Sequence, residues 1–159
     1  MKIRNLMDED IVNYKETSMF IATCYCDFKC CRELNLDICI CQNSPIAKSN
    51  IIDISDEKLV ERYVKNDLTH AIVFGGLEPF KQFDELFDLI KCFREKTEDM
   101  IVIYTGYYPN EIEEQINQLR QFKNIVVKFG RYVPGQEVHY DEVLGVSLAN
   151  KEQYAVQIS

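Results

Sequence analysis

A chain of 159 residues fits a single domain, residues 1–159, and is long enough to bury a core without disulfide staples. Hydrophobic residues make up 47% and charged residues 28%, and no apolar run reaches the ~20 residues a spanning helix needs, so neither disorder nor a membrane association is expected. The net charge of −8, from 26 acidic and 18 basic residues, argues against a nucleic-acid partner, because Lys and Arg on phosphates supply much of that affinity.

Met1–Arg4 runs into the acidic Asp8–Asp10, read as a solvated stretch, and not into an apolar segment; no secretory leader is expected, and the cytoplasm is the expected compartment. Ser18–Thr23 (SMFIAT) predicts a buried strand, and the cysteine-rich segment after it a loop. Ser55, with Asp56 and Glu57 behind it, opens a helix carrying Leu59, Tyr63 and Val64. A second strand, Ala71–Phe74, stops at Gly75–Gly76. A helix over Phe83–Glu95 follows, with Phe83, Leu86, Leu89, Ile90 and Phe93 on one face. Met100–Tyr104 is a third strand, ended by Thr105–Gly106. Pro109 sits in the first turn of a helix whose buried side is Ile112, Ile116 and Leu119. Ile125–Phe129 is a fourth strand, and beyond Gly130 the pattern is irregular up to a last possible strand at Gln153–Ile158.

These strands are nearly continuous apolar runs, the pattern of a parallel sheet covered on both faces. Alternation of strand and helix then predicts an α/β fold with a curved, mostly parallel sheet, a partial βα barrel. Ligands in such folds sit beyond the carboxyl ends of the strands. There the cysteines follow the first strand, Gly75–Gly76–Leu77–Glu78–Pro79 the second, and Thr105–Gly106–Tyr107–Tyr108 the third. Their convergence makes a site.

Six of the seven cysteines, at 24, 26, 30, 31, 39 and 41, crowd into one segment, while Cys92 reads as a small buried hydrophobe in a helix. An odd count and a reducing compartment argue against a disulfide framework. Structural zinc prefers two separated CxxC knuckles, and the CxC, CC and CxC spacings here do not match. Thiolates on one loop suit an iron–sulfur cluster. Cys26 and Cys30 would supply two ligands, with Cys39 and Cys41 both in reach for a third. His70 and His139 lack companion ligands and are read as structural or solvated. Glu78 could bind a cationic amino group or hold its loop, and Tyr107 is placed to line the site.

Taken together, CDFKC at 26–30, GGLEP at 75–79, YTGY at 104–107, VKFGRY at 127–132 and LGVS with Asn150 and Gln153 resemble the radical S-adenosylmethionine superfamily. Within it they resemble the glycyl-radical activases of anaerobic ribonucleoside-triphosphate reductase. The chain departs from the family's patterns at two places. Leu77 is an extra residue in the glycine motif, and Glu33 stands where the third cysteine of C-x3-C-x2-C belongs. Cys41–Gln42–Asn43 resembles the family's last ligand, after an insertion of about eight residues. The resemblance implies a 4Fe–4S cluster on Cys26, Cys30 and Cys41, with Cys24, Cys31 and Cys39 as rivals. It implies S-adenosyl-L-methionine bound near Asn43, Gly75, Gly76, Glu78, Thr105 and Gly106. The implied enzyme is an oxidoreductase cleaving that cofactor to a 5′-deoxyadenosyl radical. Its implied partners are anaerobic ribonucleotide reductase and a one-electron donor such as flavodoxin or ferredoxin. Another radical enzyme of the same cofactor and a non-catalytic metal-binding module are the alternatives.

Overall fold

The computed structural model describes residues 1–159. Four strands form its parallel centre: β2 (Ser18–Thr23), β4 (Ala71–Gly75), β5 (Met100–Tyr104) and β6 (Ile125–Phe129). Phe20 pairs with Val73, Val73 with Val102, and Val102 with Val126, so the same face repeats across the sheet. These are the four continuous apolar runs, and they are buried because both faces are covered.

The expected partial barrel does not form. Strand β1 (Lys2–Asp10) lies antiparallel beside β2, the two-residue β3 (Ile52–Asp53) adds antiparallel to β1, and β9 (Tyr154–Gln157) adds antiparallel to β6. The result is an open, mixed seven-stranded sheet in the order β3–β1–β2–β4–β5–β6–β9, with three parallel and three antiparallel pairings. Antiparallel strands take both flanks of the parallel centre, so no further parallel strands extend it toward closure. A second sheet pairs β7 (His139–Asp141) with β8 (Val146–Leu148).

Three helices cover one face: α3 (Asp56–Val64), α4 (Phe83–Arg94) and α5 (Glu113–Leu119). Ser55 caps α3 by accepting from the Lys58 N–H at 3.4 Å. Leu59, Tyr63, Leu86, Leu89, Ile90, Phe93, Ile116 and Leu119 pack there on Ile72, Phe74, Ile101, Ile103 and Val127. Truncating the fully buried Phe93 to Ala would cost about 3–5 kcal/mol. Pro109 opens a 3-10 turn, Pro109–Glu111, and the helix proper begins two residues later. The other face has no helix. Val73, Val102 and Val126 are covered there by Tyr14, Leu144, Leu148 and Ala155, which belong to loops and short strands. No helix is long and apolar enough to cross a membrane.

Asp8–Asp10 is part of β1 and not a free acidic stretch. Asp10 is buried and accepts from the N–H groups of Val12 and Asn13, while Asp8 pairs with Arg62 at 2.5 Å. The cysteine segment is more ordered than a loop: it holds α1 (Lys29–Glu33), a 3-10 turn at Ile38–Ile40 and α2 (Ser44–Lys48).

Candidate functional site

The chain segments that follow β2, β4, β5 and β6 line one half-open cavity of about 460 Å³ on the face opposite α3–α5, with Val146–Ala149 and Gln153 also on its wall. That volume is in the range of small-molecule sites. The segments are stitched to one another by hydrogen bonds. The Glu78 N–H donates to the Tyr25 carbonyl at 2.8 Å, and the Thr23 hydroxyl donates to the Gly75 carbonyl at 3.1 Å.

Cys26, Cys30 and Cys41 line this cavity. Cys24, Cys31 and Cys39 do not: Cys24 and Cys31 are buried in the protein, and Cys39 faces solvent on its 3-10 turn. Interaction with the neighbouring Cys41 thiol lowers the Cys30 pKa, and the same interaction raises that of Cys41. Burial pushes the Cys26 thiol up to about 12, partly offset by the Phe28 N–H at 3.2 Å from its sulfur. The Ser44 N–H, at the start of α2, donates to the Cys41 carbonyl at 3.0 Å, and the nearby N–H groups of Asn43 and Ser44 favour the Cys41 thiolate. Asn43 itself lines the cavity, and Cys92 packs against the helical core.

Gly75, Gly76, Glu78, Thr105 and Gly106 line the same cavity. The two glycines also answer to the fold. At Gly76, φ is +76° and an added Cβ would lie 2.8 Å from the Ala22 Cβ; at Gly75 it would meet the Phe20 ring at 3.0 Å. Glu78 acts as a latch. Its Oε1 accepts from the Thr105 hydroxyl at 2.7 Å and the Phe80 N–H at 3.2 Å, and its Oε2 from the Gly106 N–H at 2.9 Å. Burial raises its pKa to about 7 despite these donors.

Several residues that sequence reasoning left unassigned complete the walls. Arg131, just past β6, donates to Glu33 at 2.9 and 3.1 Å, to Glu111 at 2.7 Å and to the Gly106 carbonyl. Lys29 also pairs with Glu111. Tyr107 donates to Asp27 at 2.9 Å, and the Arg131 guanidinium lies over the Tyr108 ring, 5.0 Å from its centroid. This network ties α1, which carries Cys30, to the ends of β5 and β6. Glu33 therefore points to Arg131, at the position where the resembled motif has a cysteine. Asn150 donates to the Arg131 carbonyl at 3.0 Å and so anchors the terminal segment. Lys128, on β6, is buried in the cavity wall. A lysine inside an apolar strand was the one signal for it in the sequence.

A family model described as a 4Fe-4S single cluster domain matches residues 16–148. The chain belongs to that family. No curated relative and no solved structure matches the chain. The matched span of this single-cluster domain contains the cysteine segment, both glycine-bearing loops, Lys128 and Arg131.

The residues present suit a cluster. The cavity offers three thiols from one segment and a backbone N–H, that of Phe28, aimed at the Cys26 sulfur. No three His, Cys, Asp or Glu side chains converge on a position for one ion. A cubane does not ask for that, since each of its thiolates takes a different iron.

Proposed function

We propose that this single-cluster domain reductively cleaves S-adenosylmethionine and uses the product radical to make a glycyl radical on an anaerobic ribonucleotide reductase. One observation carries the reading. Three thiols of one segment open into the same cavity as Gly75–Gly76 and Thr105–Gly106, so a ligand beside the cluster also meets exposed backbone.

Cys26, Cys30 and Cys41 would hold the cluster. When bound, a 4Fe–4S cluster supplies a single electron and, with three protein thiolates, one iron open to a ligand. Given that electron, S-adenosylmethionine held beside the cluster would supply methionine and a 5′-deoxyadenosyl radical by loss of its C5′–S bond, and hydrogen transfer from a glycine Cα of the partner would leave 5′-deoxyadenosine and the glycyl radical. A carrier such as flavodoxin or ferredoxin would deliver the electron.

The chain's own work is to bind, orient and exclude water. Gly75 and Gly76 bring backbone N–H and C=O groups to the wall without a Cβ between. Glu78 accepts from Thr105, Gly106 and Phe80, so it holds the two loops together. The Arg131 network fixes α1, and hence Cys30, against the strand ends.

The test is anaerobic reconstitution followed by reduction with dithionite in the presence of S-adenosylmethionine. Expected are about four irons per chain, 5′-deoxyadenosine and methionine in equal amounts, and a glycyl-radical signal once the reductase is added. A reduced, fully loaded protein that yields no 5′-deoxyadenosine would refute the enzyme reading, and zinc uptake without iron would refute the cluster assignment as well.

A further inference from the structure

Lys128 is 5% exposed and has one hydrogen bond, to the Gly130 carbonyl at 3.2 Å. No carboxylate pairs with it. Glu78, the nearby acid, has both oxygens occupied by Thr105, Gly106 and Phe80. The face of the Tyr104 ring lies 6.0 Å from the ammonium, a weak additional support. A buried cation without a counter-ion costs several kcal/mol, whereas an aliphatic side chain would suit this strand position. Val126, its neighbour on the same face, shows what packing alone selects. The charge is therefore of no use to the fold, and the place where it acts is the cavity it lines together with Cys26, Cys30 and Cys41.

We infer that Lys128 is a redox-tuning residue, whose buried ammonium offsets the negative charge of the thiolate-held cluster and makes the cluster easier to reduce. The inference rests on the reading that these three cysteines hold the cluster in this cavity. Reduction adds one negative charge and moves no atoms far, so a fixed positive charge stabilises the reduced form more than the oxidised one. The effect is large where water is absent, because the interaction is weakly screened, and iron–sulfur potentials respond to net charge in this way. The charges felt at Lys128 agree: burial draws its pKa down to about 7, and Glu78 and Cys30 act in the opposite direction. Each further thiolate, and the cluster itself, adds to the negative side of that balance.

The experiment is a potentiometric titration of the reconstituted wild-type, Lys128→Met, Lys128→Gln and Lys128→Arg proteins, followed by electron paramagnetic resonance without added S-adenosylmethionine. Poised at the wild-type midpoint, the Met and Gln variants should show a reduced-to-oxidised ratio about tenfold lower, equivalent to 59 mV for one electron, and the Arg variant should stay near the wild type. Neutral variants that cannot hold a cluster, beside an Arg variant that can, would support the same role for the charge. Unchanged potentials in the Met and Gln variants overturn the inference, and so does an Arg variant that falls as far as Met, since packing and not charge would then be responsible. A wild-type protein that assembles no cluster fails at the earlier step and refutes the cluster site itself.

Discussion

Removing the titratable group of Glu78 should change how stability depends on pH. The folded-state pKa is raised from 4.5 to about 7, chiefly by burial. The native state thus keeps a proton over a range where the unfolded chain has lost it. Stability is fully present below the unfolded pKa and falls as pH rises toward 7, by about 3 kcal/mol at 1.36 kcal/mol per unit. Glu78→Gln removes that slope. The amide can still accept from Thr105 and Phe80, but its NH2 would face the Gly106 N–H, now 2.9 Å from a carboxylate oxygen. That mismatch costs about 1–2 kcal/mol. The variant should therefore be less stable than wild type at pH 5 and more stable at pH 7.5, the two curves crossing near pH 6. Urea unfolding of the cluster-free proteins under reducing conditions measures both. Glu78 also raises the Lys128 pKa, so the comparison is made in a Lys128→Met background, where only the Glu78 titration differs. A stability difference constant from pH 5 to pH 8 would refute the reasoning, because the latch would then be charged throughout.

Single Ala substitutions at Cys26, Cys30 or Cys41 should abolish cluster binding, while Cys39→Ala and Cys92→Ala should retain about four irons after reconstitution; iron and sulfide analysis decides, and a cluster surviving in Cys41→Ala would move the third ligand elsewhere. At the glycine loop, Gly76→Ala should destabilise the cluster-free protein by about 2–4 kcal/mol, since a left-handed φ and the overlap with Ala22 both penalise a Cβ. Gly106→Ala should cost under about 1 kcal/mol, its Cβ meeting only Glu78 Oε2 at 3.6 Å. Thermal melts of the two variants side by side measure the contrast, and equal losses would contradict it.

The four parallel strands could be read from the sequence because continuous apolar runs allow no other placement. The partial barrel could not. Apolar runs report that both faces are covered and do not report by what; here the second face is covered by Tyr14 and Leu144 from loops and Leu148 from the short strand β8, beside Ala155 of the edge strand β9. Strand β1 escaped detection because only Ile3 and Asp10 of its nine residues are buried and its end is acidic. The cysteine segment pointed to cluster chemistry by composition. Which thiols face the cavity depends on the turns of α1, the Ile38–Ile40 turn and α2, elements of five residues or fewer with no periodicity to read. Glu78 was open between two roles, and its three donors from Thr105, Gly106 and Phe80 assign it to the loop. Arg131 and Glu33 lie 98 residues apart, and no local pattern links such a pair.

Most ionisable groups around the thiols share one trend, and Cys30, whose pKa the Cys41 thiol lowers, is the exception. Cys26 and Cys41 are held toward the neutral thiol, Glu78 toward the neutral acid and Lys128 toward the neutral amine. Burial is a leading cause in each case, as expected for a wall that excludes water. Converting the thiols to metal-bound thiolates reverses the balance, since negative charge then faces Lys128, and protons must leave the sulfurs as iron enters. Loading the site therefore does two things at once: it supplies the buried ammonium with a counter-charge, and it adds the free energy of binding to that of folding. Lys128 has no counter-charge among the free side chains and would gain one from an anionic group held by the thiols, which supports the proposed reading of this cavity.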